Sequence, residues 1–428
     1  MEGSIVMLEL IMKDILGTPS ILVGIFALIG LILQRKSAAD VVSGTLKTVM
    51  GFIIIGAGAT VLIGALNIFS QMFDHAFHVA GVIPNNEAIV AAAQSKFGTS
   101  TALIMVLGMV VNIVLARFTK FKYIFLTGHH TLFMACLIAV TLSIGGLSGA
   151  PLILVGSIIL GLCMVIFPAI IQPYVRQITG SDDFAIGHFG TIGYIISANV
   201  GKWFGNKEKT TEQIKVPKSL GFLRDTSVAV SLTMALFFVV VALFTGQGYI
   251  ETKLSGGSNF IVFSLMQAIT FAAGVYIILA GVRMLIAEIV PAFKGIAEKV
   301  APNTKPALDC PTIFPFAPNA VIIGFLFSFV AGLLSMFILP LVGLKVIVAG
   351  LVPHFFTGAA AGVFGNATGG RRGAMFGSFA NGIIISFIPA ILLVLLGNTG
   401  FEGSTFGDSD FGVVGILILS IMKLFGLA

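Results

Sequence analysis

The sequence predicts an all-α polytopic membrane protein with about 11 transmembrane helices and re-entrant hairpins. The first sign is where charge is absent. The chain of 428 residues is 57% hydrophobic and 10% charged, against about 25% charged in soluble domains. Residues 48–73, 97–116, 123–175, 226–250, 254–282, 310–344, 346–370 and 373–401 hold no Asp, Glu, Lys or Arg. The second sign is length. A spanning helix needs roughly 20 apolar residues, and the longest of these stretches exceeds one span. The third is glycine, at 51 residues, which lets membrane helices approach closely and break.

In chain order the helices expected are 18–34, 47–66, 97–117, 122–146, 150–174, 225–246, 258–290, 317–338, 340–352, 374–398 and 410–427. The segment 66–95 is amphipathic, with Asp74, His75, His78 and Glu87, and is expected to lie at a membrane surface or re-enter. The stretches 184–200 and 353–368 are too short and Gly-rich to span, so they read as re-entrant turns. Met1 to Gly17 carries Glu2, Glu9, Lys13 and Asp14, the wrong pattern for a cleavable signal peptide. It reads as an interfacial amphipathic helix.

Loop charge sets orientation. Arg35, Lys36 and Lys47 mark one cytoplasmic connection, and Arg117, Lys120 and Lys122 a second. Residues 202–225 hold six Lys/Arg (Lys202, Lys207, Lys209, Lys215, Lys218, Arg224) against Glu208, Glu212 and Asp225. The N-terminus is then outside and the C-terminus cytoplasmic. The net charge of +6 is a membrane-topology signal, not a nucleic-acid one.

The organisation expected is one integral membrane unit over 1–428. It comprises a first repeat at 18–175, a cytoplasmic connecting region at 176–224, a second repeat at 225–400 and a C-terminal helix at 401–428. Gly51–Ile63 lies over Gly274–Ile286 without a gap and matches at seven of thirteen positions. A nearby offset places His129 on His354. Loop charge runs helix 47–66 outward and helix 258–290 inward, so the repeat is inverted. Inverted repeats mark alternating-access transporters, with the solute site at their interface.

Ionisable residues at membrane depth are costly and line solute or ion paths. Three stand out: His129 in Leu126-Thr127-Gly128-His129, His188 in Ala185-Ile186-Gly187-His188, and Asp309 in Leu308-Asp309-Cys310-Pro311. Each also has a plainer reading: a histidine bonded to a backbone carbonyl, an interfacial loop, and a helix cap. His130 points elsewhere on a helix and reads as packing. Asn319, after the proline break Phe314-Pro315-Phe316-Ala317-Pro318, serves either a ligand or the next helix's cap. Arg283 and Glu288 are five apart and need partners on other elements. Gly369-Gly370-Arg371-Arg372 reads as a cytoplasmic anchor. Cys136, Cys163 and Cys310 have no metal or redox spacing, no phosphate-binding loop is present, and no cofactor or metal is expected.

These motifs resemble the membrane-embedded IIC component of the bacterial phosphotransferase system, ascorbate-type family. The matching pieces are Leu-Thr-Gly-His at 126–129, Ile-Gly-His at 186–188, Gly-Val-Arg-Met at 281–284, Asp309-Cys310 and Phe-Ala-Pro-Asn-Ala-Val at 316–321. Arg35-Lys36-Ser37 and Lys47-Thr48 also fit. The resemblance implies a homodimer with a core domain moving against a scaffold (dimerisation) domain. It implies passage of L-ascorbate or a similar polar solute, phosphorylated by a separate IIB protein charged through IIA. Carried over by position, solute contacts fall at Asn86 and Glu87, at His129, His130 and on to Phe133, at His188 and Phe189, and at Asp309, the last a possible base. The chain departs from the ascorbate pattern at Phe133 and Phe189, where that pattern has Gln, and at Asn86-Glu87, where it has Thr-Tyr. A proton-coupled secondary transporter is the alternative, since histidine titrates near physiological pH. A structural membrane protein using polar residues as inter-helix glue fits less well with Gly and Pro clustered beside them.

Overall fold

The computed structural model describes residues 18–78, 81–84, 86–214, 226–299, 301–397 and 404–426. The expected interfacial helix at Met1–Gly17 and the 215–225 part of the basic loop lie outside the described residues. The first helix, α1 (Pro19–Leu33), starts on a proline, whose missing N–H costs nothing in a first turn. After it, Ser37 caps α2 (Ala38–Phe77), accepting from the Asp40 N–H at 3.1 Å. α2 runs 40 residues to His78, which is left-handed at φ 52°. Helix 47–66 and part of the expected surface segment 66–95 are thus one rod. Residues 66–77 contain no Pro or Gly to stop the helix, so their polar groups mark its emergence rather than a turn.

β1 (Ile83–Pro84) leads into α3 (Asn86–Phe118). β2 (Tyr123–Phe125) then precedes α4 (Gly128–Ile144), which turns at Gly145 into α5 (Gly149–Thr179). β3 (Ala185–Ile186) precedes α6 (Thr191–Phe204). α7 (Thr226–Thr245) and α8 (Phe260–Lys299) follow. β4 (Lys305–Leu308) and a 3-10 turn (Cys310–Phe316) lead to α9 (Pro318–Leu341). A short helical entry over 351–358 opens α10 (Ala359–Leu396), and β5 (Ser404–Thr405) opens α11 (Ser409–Leu424).

α10 is folded, not straight. Gly370 sits at φ 59°, ψ −147° inside it. Ser378 Oγ reaches the Gly358 carbonyl at 3.2 Å, and Asn381 Nδ2 reaches Thr357 Oγ1 at 3.3 Å. Residues 20 apart stand about 30 Å apart on a straight helix, so the chain doubles back at Gly370. A Cβ on Gly365 or Gly373 would strike the other's backbone, so glycine permits the two arms to touch. The stretch 353–368, expected as a re-entrant turn, is helical and the fold-back comes just after it at Gly370, while 342–350 within the expected helix 340–352 is not helical: Val346 and Val348 bond Val82 in extended form. The stretch 184–200 is a strand followed by a helix.

The structure is mostly helical, as expected, with five short strands among the described residues in addition. They form a parallel sheet ordered β2-β4-β3 and a second parallel pair, β1-β5, with Ile347 bridged to Val82 on its other side. Broken helices leave backbone groups that lipid cannot satisfy, and strand pairing satisfies them inside the protein. Two- to four-residue strands lack the alternation that would reveal them in sequence.

The helices fall into two bundles. α1, α2, α7 and α8 pack chiefly on one another, and α3–α6 with α9–α11 form the other. α2 crosses α8 at Gly58 and Gly274. A Cβ on Gly58 would lie 2.7 Å from the Ile278 nitrogen, and one on Gly274 2.8 Å from the Leu62 nitrogen. Lys47 pairs with Glu288 at 3.3 Å across the same helices, the inter-element partner Glu288 requires. Glu212 Oε1 caps α9 by accepting the Asn319 and Ala320 N–H groups at 3.1 and 3.2 Å. Asn319 itself holds the Thr211 carbonyl. Among the described residues six helices are long and apolar enough to cross a membrane, or seven if the 101° bend after α7 joins one span. Large apolar side chains such as Leu236, Phe244, Val262 and Phe337 face outward, which suits lipid and not water.

Candidate functional site

Three parallel strands deliver the three motif residues to one place. β2 and β3 flank β4, with Phe125 and Ala185 both opposite Ala307. The Leu126 N–H donates to the Ala307 carbonyl at 3.0 Å, and the Gly187 N–H to the Leu308 carbonyl at 2.6 Å. His129, His188 and Asp309 therefore all stand just beyond the carboxyl ends of their strands. There the ladder ends and helix N-termini begin, which favours polar or anionic ligands.

Asp309 is the hub. Its Oδ1 accepts the Cys310 N–H at 2.7 Å, which fixes the carboxylate. His129 Nε2 lies 3.4 Å from Oδ2, and His188 Nε2 lies 3.8 Å from Oδ1. His188 is buried, and its Nδ1 meets the Tyr194 hydroxyl at 2.8 Å. His129 is the accessible member, with 38% of its side chain exposed. Asp309 thus caps the 3-10 turn, as one of its expected roles had it, and the same carboxylate faces both histidines.

The second strand pair aims its carboxyl end at the same point. Asn86 opens α3 just after β1, and Asp408 follows β5. Asn86 Nδ2 donates to Asp408 Oδ2 at 2.7 Å, and the Gly407 N–H donates to Asn86 Oδ1 at 2.8 Å. Asp408 Oδ1 lies 3.9 Å from His188 Nε2. Asp410 caps α6, accepting the Thr191 and Ile192 N–H groups at 2.8 and 2.9 Å. Sequence reasoning missed Asp408, Asp410 and Tyr194. It read 401–428 as a helix outside the repeats. The overlooked signal is an acid directly after a glycine, Gly407-Asp408, as His188 directly follows Gly187.

The remaining expected residues are placed less directly. Glu87 lies in the first turn of α3, but its side chain lies outside the described residues. His130 is buried and stacks on Phe411, with ring centroids 5.5 Å apart. Its Nδ1 accepts the Phe189 N–H at 3.4 Å. Phe133 is buried against the rings of His129 and Phe411. The Phe189 ring is wholly buried and stacks on Phe125 at 4.8 Å, so it forms the wall behind the cluster. His354, the expected counterpart of His129, bonds Ser328 Oγ at 2.8 Å and packs on Phe329. Among the described residues two sets of potential metal ligands occur, His129/His130/Asp309 and His188/Asp309/Cys310. Both contain Asp309 and are parts of this same cluster.

Fold and cluster together define the class: a polytopic membrane protein whose apolar helices break around buried histidines, carboxylates and strand ends. The family described as PTS system sugar-specific permease component, EIIC-GAT, matches residues 14–410, and the chain belongs to it. A relative in Mycoplasma pneumoniae (strain ATCC 29342 / M129 / Subtype 1), the "Ascorbate-specific PTS system EIIC component", is 28% identical over 437 residues. The match covers 88% of this chain and 66% of that relative, so the chain spans just under two thirds of its length.

Proposed function

We propose that this permease binds L-ascorbate or a similar polar sugar-like solute at the His129–His188–Asp309 cluster. It carries the solute into the cell, where a separate IIB protein, charged through IIA, phosphorylates it. The observation that carries this reading is the convergence of three parallel strand ends on one ionisable cluster inside an apolar bundle. Hydroxyl groups of the solute donate to Asp309 and accept from the histidines. Asp309 also stands where a base would assist phosphoryl transfer to a hydroxyl.

The inverted repeat is part of the proposal, and the sheets support it. In one, a strand of the second half (β4) lies between two of the first (β2, β3). In the other, a strand of the first half (Val82 with β1) lies between Ile347 and β5 of the second. The Lys305 N–H bonds the Lys122 carbonyl just as the Val82 N–H bonds the Val346 carbonyl, both at 2.9 Å. The core is then the bundle that holds the cluster, and the scaffold, which also mediates homodimerisation, is α1, α2, α7 and α8. The basic connections gather at one end, which supports a cytoplasmic face there. Lys305 joins Lys122 and Asp182, Gln177 joins Ala367, and Arg371 joins Lys209 and Thr210. On that reading the N-terminus lies outside; the end of α11, where Met422 packs on Gly145, lies away from Arg371, which counts against the cytoplasmic C-terminus expected from loop charge.

The test is uptake of labelled ascorbate by cells lacking their own system, with IIA and IIB supplied or withheld and the internal product weighed. Phosphorylated product only with IIB supports group translocation. Unmodified product without IIB, abolished by an uncoupler, favours the proton-coupled reading, for which a buried His188 between two carboxylates is the supporting geometry. His188→Ala and Asp309→Asn are each expected to cut uptake at least tenfold while inserting normally. Normal uptake in both would remove the cluster from the transport path.

A further inference from the structure

We infer that Tyr194 is a positioning residue for solute binding: its hydroxyl, seated over Gly190, donates to His188 Nδ1 and leaves the ring proton on Nε2, so that His188 offers the solute a donor. The inference rests on the transport reading above and gives a role to a residue outside the cluster.

The contact is built from three positions in one short stretch of chain. The Tyr194 hydroxyl lies 2.8 Å from His188 Nδ1, and both side chains are buried. Gly190, just before α6, has φ −111° and ψ 11°, a negative φ that does not require glycine. Its missing side chain serves the contact instead. A Cβ there would lie 2.6 Å from the Tyr194 hydroxyl oxygen and 3.1 Å from His188 Nδ1. Both partners are held from behind. The Tyr194 ring stacks on Phe364 of α10 at 5.1 Å, and its N–H donates to the Gly190 carbonyl at 3.1 Å. The His188 carbonyl accepts from Thr191 Oγ1 at 3.1 Å.

A phenolic hydroxyl can donate or accept, so the far side of the ring decides the direction. There Nε2 lies 3.8 Å from Asp309 Oδ1, the oxygen that accepts the Cys310 N–H. An ionised carboxylate only accepts. With the ring proton on Nδ1, the Nε2 lone pair would face that carboxylate and repel it. With the proton on Nε2, the ring turns a donor toward Asp309 and an acceptor toward Tyr194, and both ends are satisfied. The 3.8 Å gap exceeds the N–H···O range of about 2.7–3.2 Å. A solute hydroxyl between the two accepts from Nε2 and donates to Oδ1. Tyr194 holds the imidazole in the state and orientation that this matched pair needs, as a second partner does for other working histidines.

The test uses the full chain in membranes. Nitrogen NMR of histidine-labelled protein, with the His188 signals identified by their loss in His188→Gln, is expected to show Nδ1 unprotonated and Nε2 protonated before solute is added. A protonated Nδ1 in the wild type overturns the inference whatever the variants do. Tyr194→Phe, which keeps the ring on Phe364, is expected to shift the Nδ1 signal downfield. It is also expected to weaken binding of labelled L-ascorbate about 3- to 10-fold, the range for losing one hydrogen bond. Where the wild type takes up another solute, a member of a panel of pentitols and sugar lactones replaces ascorbate. Gly190→Ala is expected to do the same by displacing the hydroxyl. In the His188→Gln background Tyr194→Phe is expected to add nothing, because it acts through the imidazole. Equal weakening in both backgrounds, an unmoved Nδ1 signal or an undiminished affinity overturns the positioning role while the transport reading stands. The ring nitrogens are read without solute, so a wild type that takes up no panel member overturns the transport reading separately, and the solute role of Tyr194 with it.

Discussion

His188 has its two ring nitrogens committed to different parts of the molecule, Nδ1 to Tyr194 on α6 and Nε2 toward Asp309 and Asp408. That division makes it the residue through which the two strand sets meet. Phe189, its neighbour, does the opposite. Its ring is wholly buried on Phe125, while its backbone N–H serves His130 and its carbonyl accepts the Asp410 N–H at 2.9 Å. Restoring the ascorbate-type amide there is therefore expected to harm rather than help. Phe189→Gln should lower stability by about 1–3 kcal/mol, because a buried amide replaces a stacked ring. Thermal unfolding in detergent with solute titration checks this, and higher ascorbate affinity in the variant would return Phe189 to the binding surface. His129, His188 and Asp309 were legible because charge in an apolar stretch needs a reason. Asp408 and Asp410 were not, because a pair of acids before a terminal helix has an ordinary explanation as first-turn acids.

At the scale of elements, Asp182 secures the starts of the strands that carry the site. It binds Arg176 Nε at 2.7 Å, Gln172 Nε2 at 2.8 Å and Lys305 Nζ, joining α5 to β4 just before β3. Burial opposes its charge, but hydrogen bonds from Arg176, Lys305 and Gln172 outweigh that and hold its carboxyl down at about 2. A lowered value stabilises the fold above the ordinary carboxylate value of 3.8, and the contribution is lost as pH falls through about 2. Asp182→Asn should thus cost about 1 kcal/mol or less near neutrality, since the pair is half exposed. Melting curves of wild type and variant should converge between pH 4 and pH 2. A gap constant over that range would exclude an ionised Asp182 as the cause. The α2–α8 crossing makes a sharper demand. Gly274→Leu should destabilise by about 1–3 kcal/mol or more through overpacking against the Leu62 and Gly58 backbone. An unchanged melting temperature would show that the crossing is looser than its 2.8 Å approach indicates.

On the scale of the whole molecule, the cluster belongs to one bundle and meets the other across aromatic contacts. Phe69 of α2 lies edge-on to Phe329 of α9 at 6.5 Å, and Phe271 of α8 meets Phe355 at 5.4 Å. If the core carries the solute by sliding on the scaffold, these contacts break in each cycle. Joining Phe69→Cys to Phe329→Cys with a short cleavable thiol reagent should stop uptake, and reductant should restore it. Cys136, Cys163 and Cys310 are replaced by Ala in the same chain, so that the reagent meets only the introduced pair. Uptake that continues through the cross-link would mean the bundles move as one.

By itself the sequence determined a polytopic helical membrane protein, the three ionisable residues that the structure brings together, and its family. Each follows from local information: long charge-free runs fix the solvent as lipid, and an ionisable group there is conspicuous wherever it ends up. The tertiary structure alone decided that α10 folds back at Gly370, that short strands form at five places among the described residues, and that Asn86 and Asp408 join His188. Those outcomes depend on partners more than a hundred residues away, such as Pro84 beside Thr405 and Ala185 beside Ala307. Backbone pairing of two- to four-residue strands carries no side-chain periodicity. Only the closure of the whole bundle determines which broken ends must find each other.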